Sequence, residues 1–232
     1  MCISKKSYKL RYRNWHLILL IEIRKLLGKI YMNQLELKEL FIGSQAPDQR
    51  RNAAEVLASN SDFDSDSAEL LVNALSDEDI GVRDTVFRLL QSRTNHQAKL
   101  VNEYLVKLIL DNDIEIRNLA AEILKITGIY SPELLIPYLN IEDIHIRQFT
   151  VDICSAINDN LILEELKKLF TVEKVTNVKT SLIEALGNFH DEEAEALLIQ
   201  QFNIESDLKP VIIDALAKYQ TTVSEEIGRA HV

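Results

Sequence analysis

The sequence predicts an all-α chain, an α-solenoid of about six stacked antiparallel helix pairs. Three observations predict it. A basic side chain opens the same apolar pattern six times, at Arg50, Arg83, Arg117, Arg147, Lys179 and Lys209, with intervals of 33, 34, 30, 32 and 30 residues. Self-similarity at a period of about 20–50 residues marks an array whose units bury their apolar faces only against their neighbours. After each marker the apolar positions keep one register: Val86, Leu89 and Leu90 match Ala120, Ile123 and Leu124, and then Leu182, Ala185 and Leu186. Spacings of this kind lay a stripe on one helix face. Finally, six Gly, four Pro and 6% aromatic residues, beside a 47% hydrophobic share, suit packed helices better than a sheet.

Each unit reads as two amphipathic helices joined by a short acidic turn. The first pair is expected at 33–43 and 47–59, with Gly43-Ser44 ending one helix and Pro47 near the first turn of the next. Ser61 to Ser67, rich in Asp and Ser, reads as a loop. Helices at 67–76 and 79–92 follow, then 97–111 and 113–127, the last stopped by Gly128. Ser131-Pro132-Glu133 reads as a strong helix start, with a kink expected at Pro137 before the helix ends near Asn140. Helices at 143–157, 160–171, 175–187 (ended by Gly187), 191–203 and 207–220 complete the array. Burying one Leu contributes roughly 1.5–3 kcal/mol, too little for one pair to offset its chain entropy, so stability must come from stacking.

The two ends read differently. Residues 1–31 hold eight Lys/Arg and one acid, Glu22, and are set apart as a basic extension, either mistranslated or a capping helix, with Met32 a natural start. Trp15 to Ile23 is apolar but far short of the ~20 residues a membrane-spanning helix needs. The array is assigned to 32–220 and a tail to 221–232. Within that tail, Glu226-Ile227-Gly228-Arg229-Ala230-His231-Val232 resembles translated sequencing-adapter sequence, so the natural protein is expected to continue. Cys2 and Cys154 are the only cysteines, and Cys154 falls where other units place Leu57, Leu90, Leu124 and Leu186. No disulfide framework is possible and no good export signal is present, so a cytoplasmic protein is expected.

The motif copies Asp79-Ile80-Gly81-Val82-Arg83, Asp113-Ile114-Glu115-Ile116-Arg117 and Asp143-Ile144-His145-Ile146-Arg147 resemble HEAT repeats of the short bacterial type. The junction Ala185-Leu186-Gly187-Asn188-Phe189-His190-Asp191-Glu192 is similar to the HEAT-like repeats of phycobilisome bilin lyases. The resemblance covers about 33–220 and implies a solenoid that binds partners on its concave surface. It implies no single activity, because function lives in sites grafted onto such folds. The fifth unit departs from the pattern: Lys174 replaces the acid and Thr176-Asn177 adds a residue before Val178-Lys179.

Asp79, Asp113 and Asp143 stand where a helix needs an N-cap, and Arg83, Arg117 and Arg147 then fall in a first turn whose dipole disfavours a cation. Compensation is expected from the acidic turn of the same or the adjacent repeat, as a structural ladder of charge-assisted hydrogen bonds. Five residues beyond each marker stand Glu55, Arg88, Glu122, Asp152, Glu184 and Asp214. The five acids are the candidate protein-binding residues, lined up along the second-helix surface.

No catalytic constellation is found. The five histidines are scattered, no pair has the spacing of a helical metal site, and His190-Asp191-Glu192 is one imperfect copy of the several His-Glu motifs that deoxyhypusine hydroxylases need. No cofactor or metal is expected. From residue 32 onward 18 basic residues face 35 acidic ones, a balance of −17 that disfavours nucleic acid. The expectation is a non-enzymatic scaffold that binds a basic or neutral protein or peptide on its acidic concave face. The alternative is a bilin-lyase-like chaperone or enzyme acting on a tetrapyrrole-carrying protein.

Overall fold

The computed structural model describes residues 34–204 and 206–219; the basic extension and the tail lie outside the described residues. All regular structure among the described residues is helical. Among the described residues six helix pairs follow one another, in two compact units that divide between Leu89 and Leu90. No helix among the described residues is long and apolar enough to cross a membrane.

The first unit holds α1 (Gln34–Gly43), α2 (Pro47–Ser59), α3 (Ser65–Asn73) and most of α4 (Ile80–Gln91). Ala53, Ala54, Leu57, Ala68, Leu71 and Val86 are buried, small residues alternating with Leu so that helices approach closely. The loop expected at 61–67 is shorter than read. Asp64 accepts from the backbone N–H and the hydroxyl of Ser67 and starts α3 at Ser65. Lys38 on α1 donates to Asp64 and Asp66, so a segment too acidic to pack alone is neutralised from the preceding pair.

The second unit holds α5 (Asn95–Leu105), α6 (Ile114–Thr127), α7 (Ile136–Leu139), α8 (Ile144–Cys154), α9 (Asn160–Val172), α10 (Thr176–Leu186), α11 (Glu192–Phe202) and α12 (Lys209–Leu216). The second helices α6, α8, α10 and α12 lie side by side in chain order. The stripe read from the sequence faces inward: Ala120, Ile123, Leu124, Leu182, Ala185 and Leu186 are fully buried, as is Cys154 in its Leu slot. Burial pushes the Cys154 thiol up to about 12.

One expected helix is not formed. Pro132–Leu134 is a 3-10 turn and α7 is a single turn with Pro137 at its start, so Pro137 kinks nothing. The Ser131 hydroxyl makes no cap; it accepts from Asn102 Nδ2 at 2.8 Å inside a buried network in which Asn102 also donates to the Thr127 carbonyl and accepts from the Thr127 hydroxyl. The two glycines read as helix stops do stand at the C-caps of α6 and α10. Both have right-handed backbone, and what they provide is space. A Cβ on Gly187 would stand 3.0–3.2 Å from the Cβ, Cα and carbonyl oxygen of Ala215, and one on Gly128 would strike Ile157.

Candidate functional site

The arginine markers share one geometry. Arg50, Arg83, Arg117 and Arg147 each donate from Nη1 to the carbonyl six residues upstream, at Ser44 (3.1 Å), Asp77 (2.8 Å), Asp111 (2.6 Å) and Ile141 (2.7 Å). Each guanidinium thus ties its helix start to the turn before it. Arg50 and Arg147 reach the next repeat as well. Arg50 grips Asp77 with Nε and Nη2 at 2.9 and 2.8 Å, and Arg147 Nε meets Glu173 at 2.7 Å. Desolvation pushes the Glu173 carboxyl up, but hydrogen bonds from Arg147 and from the N–H groups of Val175 and Lys174 outweigh it and hold it below its ordinary range. Asp77 is held down in the same sense by Arg50 and the Asp79 N–H, again against desolvation.

Asp77 and Glu173 thus receive marker arginines from the preceding repeat. Asp79, Asp113 and Asp143 act as caps, accepting from Val82 N, Glu115 N, and His145 and Ile146 N, with Asp79 also meeting Arg51. In the last two units the lysine markers sit over buried rings of the preceding helix, Lys179 over Phe170 and Lys209 over Phe202. Sequence reasoning missed a second rung, made by first-helix lysines. Lys38 reaches Asp64 and Asp66, and Lys167 reaches Asp191 and Glu193, in each case the start of the next first helix. The signal was a Lys followed 24–28 residues later by an Asp-x-acid. Among the described residues the fold is a repeat of helix pairs.

The acidic strip gives the candidate binding site. Asp152 on α8, Glu184 on α10 and Asp214 on α12 are all exposed and line one cavity of about 310 Å³ over three successive second helices. Ser181, Asn188 and Lys218 line it too, and small residues such as Ala185 and Ala215 keep it open. Three carboxylates thus face one ammonium, and that ammonium is engaged, since Lys218 donates to Asn188 Oδ1 at 2.8 Å. Desolvation in the groove wall pushes the Asp152 carboxyl up, against a hydrogen bond from Ser181 and the charge of Lys125. Glu122 on α6 is exposed but held by Lys125 at 2.6 Å and does not line the cavity. Glu55 and Arg88 are exposed on α2 and α4 of the first unit.

No family model matches the chain, and no curated protein does. Solved structures do match. Human deoxyhypusine hydroxylase in complex with glycerol shares 20% identity over 81% of this chain and 73% of its own, with a TM-score of 0.44. A designed armadillo repeat protein in complex with peptide (KR)4 shares 15% over 82% and 100%, TM-score 0.41. The CpcE–CpcF phycocyanin lyase complex from Nostoc sp. PCC7120 shares 16% over 86% and 81%, TM-score 0.39.

His190 has no metal-site geometry. It adopts a left-handed backbone (φ 55°), its Nδ1 lies 3.2 Å from the Asn188 carbonyl, and its ring tilts against Tyr219. Asp191 beside it caps α11 by accepting from Ala194 N. Among the described residues no group of three His, Cys, Asp or Glu is placed to hold a metal ion.

Proposed function

We propose that the protein is a non-enzymatic scaffold that captures a basic segment of a partner protein along the second-helix surface of the second unit. The observation that supports this reading is the alignment of Asp152, Glu184 and Asp214 on three consecutive helices around one cavity. The repeat brings equivalent positions into a row, so one acid per unit becomes a line of negative potential. The polar wall of Ser181 and Asn188 offers hydrogen bonds to a peptide backbone or a guanidinium. Glu122, tied to Lys125, and Glu55 in the first unit are secondary candidates for the same role. A tetrapyrrole-handling activity draws no support from this groove: an anionic propionate-bearing ligand would face three carboxylates.

Fluorescence anisotropy with a labelled arginine-rich peptide tests the proposal. An exposed ion pair contributes about 0.2–1 kcal/mol, so replacing Asp152, Glu184 and Asp214 by their amides should weaken binding roughly 3–150-fold. Raising the salt concentration should weaken the parent protein far more than the triple variant. Equal affinity for the two proteins at low salt would remove the groove from the account.

A further inference from the structure

The repeat motif carries a residue that neither the ladder nor the groove uses. In Asp-Ile-x-Val/Ile-Arg the second aliphatic is buried at Val82 and half-buried at Ile116 and Ile146, whereas the first is turned to solvent. Ile80 is 65% exposed, Ile114 63% and Ile144 42%. At this position, the first residue of a helix, a polar side chain would serve the backbone equally well. In the second unit the ends of the first helices add to the same edge: Leu110 and Ile114 bracket one turn, Val172 ends α9 and Ile204 follows α11, the last two 68% and 67% exposed. Because the second helices of the second unit stack in order, its exposed aliphatics Leu110, Ile114, Ile144, Val172 and Ile204 recur along the turn edge of that unit. On the opposite edge of the second unit the exposed large aliphatics among the described residues are Ile126, Ile129 and Leu161. Single exposed aliphatics mean little, but a row rimmed by charge marks a contact surface.

The rim decides the partner. Asp113, Glu115, Glu142, Asp143 and Asp207 are exposed along this edge, against Lys107, Lys174 and His145. A second copy meeting the edge with its own would set carboxylates against carboxylates, and an anionic bilayer would be repelled in the same way. Charge complementarity fits an apolar stripe with basic flanks. Neighbouring helices lie about 8–10 Å apart, and an α-helix advances about 10.5 Å in seven residues, so one stripe residue per heptad meets one repeat. We infer that the turn edge of the second unit, carrying Leu110, Ile114, Ile144, Val172 and Ile204, docks a basic amphipathic helix of a partner protein. This surface is separate from the groove and stands without it.

The probe is a labelled peptide of leucine and lysine, about 18 residues long, with its leucines on one helical stripe; its scrambled isomer is the control. Titrated into the full chain, the stripe peptide should bind at least about tenfold more tightly than the scramble. The variant Ile114→Ser/Ile144→Ser/Val172→Ser should bind both peptides alike, with an unchanged far-UV spectrum and melting midpoint. Asp152→Asn/Glu184→Gln/Asp214→Asn should keep the preference. The inference is overturned if the parent does not discriminate between the peptides, if the triple Ser variant still does, or if the groove variant alone loses the preference. It is also overturned if sedimentation shows a dimer of the parent that the Ser substitutions dissolve.

Discussion

Removing the Glu173 side chain probes the arginine ladder where it is most buried. Glu173 is 9% exposed and accepts from Arg147 Nε at 2.7 Å and from the N–H groups of Lys174 and Val175 at 2.8 Å each. Val175 caps α10 without a side-chain bond, so this carboxylate is the acceptor that serves the start of that helix. Breaking one side of a buried pair costs about 3–5 kcal/mol, but Arg147 keeps the Ile141 carbonyl at 2.7 Å. We therefore expect Glu173→Ala to cost about 2–4 kcal/mol, and Glu173→Gln about 1 kcal/mol, the difference between a charged and a neutral hydrogen bond. Urea unfolding followed by far-UV ellipticity reads both values. The sign of the pH dependence follows from the depressed carboxyl. Its contribution is complete above the ordinary value of 4.5 and is lost as pH falls through the lower folded value, and Glu173→Gln removes that part of the acid sensitivity. A loss below about 0.5 kcal/mol for Glu173→Ala, or strict additivity with Arg147→Ala, would refute the ladder as a source of stability.

Other outcomes follow from the same contacts. Arg117→Ala should cost less than Arg147→Ala, because the position that supplies Glu173 to Arg147 supplies Ile141 to Arg117; the same urea titration compares them. Gly187→Ala should destabilise by about 1–3 kcal/mol despite alanine's better helix propensity, since the new Cβ meets the backbone of Ala215; a raised melting midpoint would contradict the close approach. Leu124→Ala, fully buried in the second unit, should cost about 2–5 kcal/mol by thermal or urea denaturation. In a Cys2→Ser background Cys154 should resist an aromatic disulfide reagent at neutral pH and react only as the protein unfolds, which absorbance reports.

What was legible in the sequence is what the repeat period dictates. The helix pairs, the inward stripe through Leu124 and Leu186, and the positions of Asp152, Glu184 and Asp214 come from equivalence between units. What was not legible depends on contacts between units. Ser131-Pro132-Glu133 has every local mark of a helix start, yet the Ser131 hydroxyl is taken by Asn102 from the preceding pair. Asp64 begins a helix inside an apparent loop because Lys38, 26 residues upstream, neutralises it. Gly128 and Gly187 end their helices as read, but neighbouring side chains and backbone, not dihedral angles, require them. Ser181, Asn188 and Lys218 were missed as groove residues because the positions flanking each acid differ in chemistry from unit to unit.

The groove is tested most directly by mapping where a basic ligand sits. A benzophenone-bearing arginine peptide, irradiated with the full chain and analysed by mass spectrometry, should mark the groove around Ser155, Ala185, Val211 and Ala215. The marking should fade with salt and vanish in the triple amide variant. Labelling that spares these residues and survives the substitutions would contradict the account.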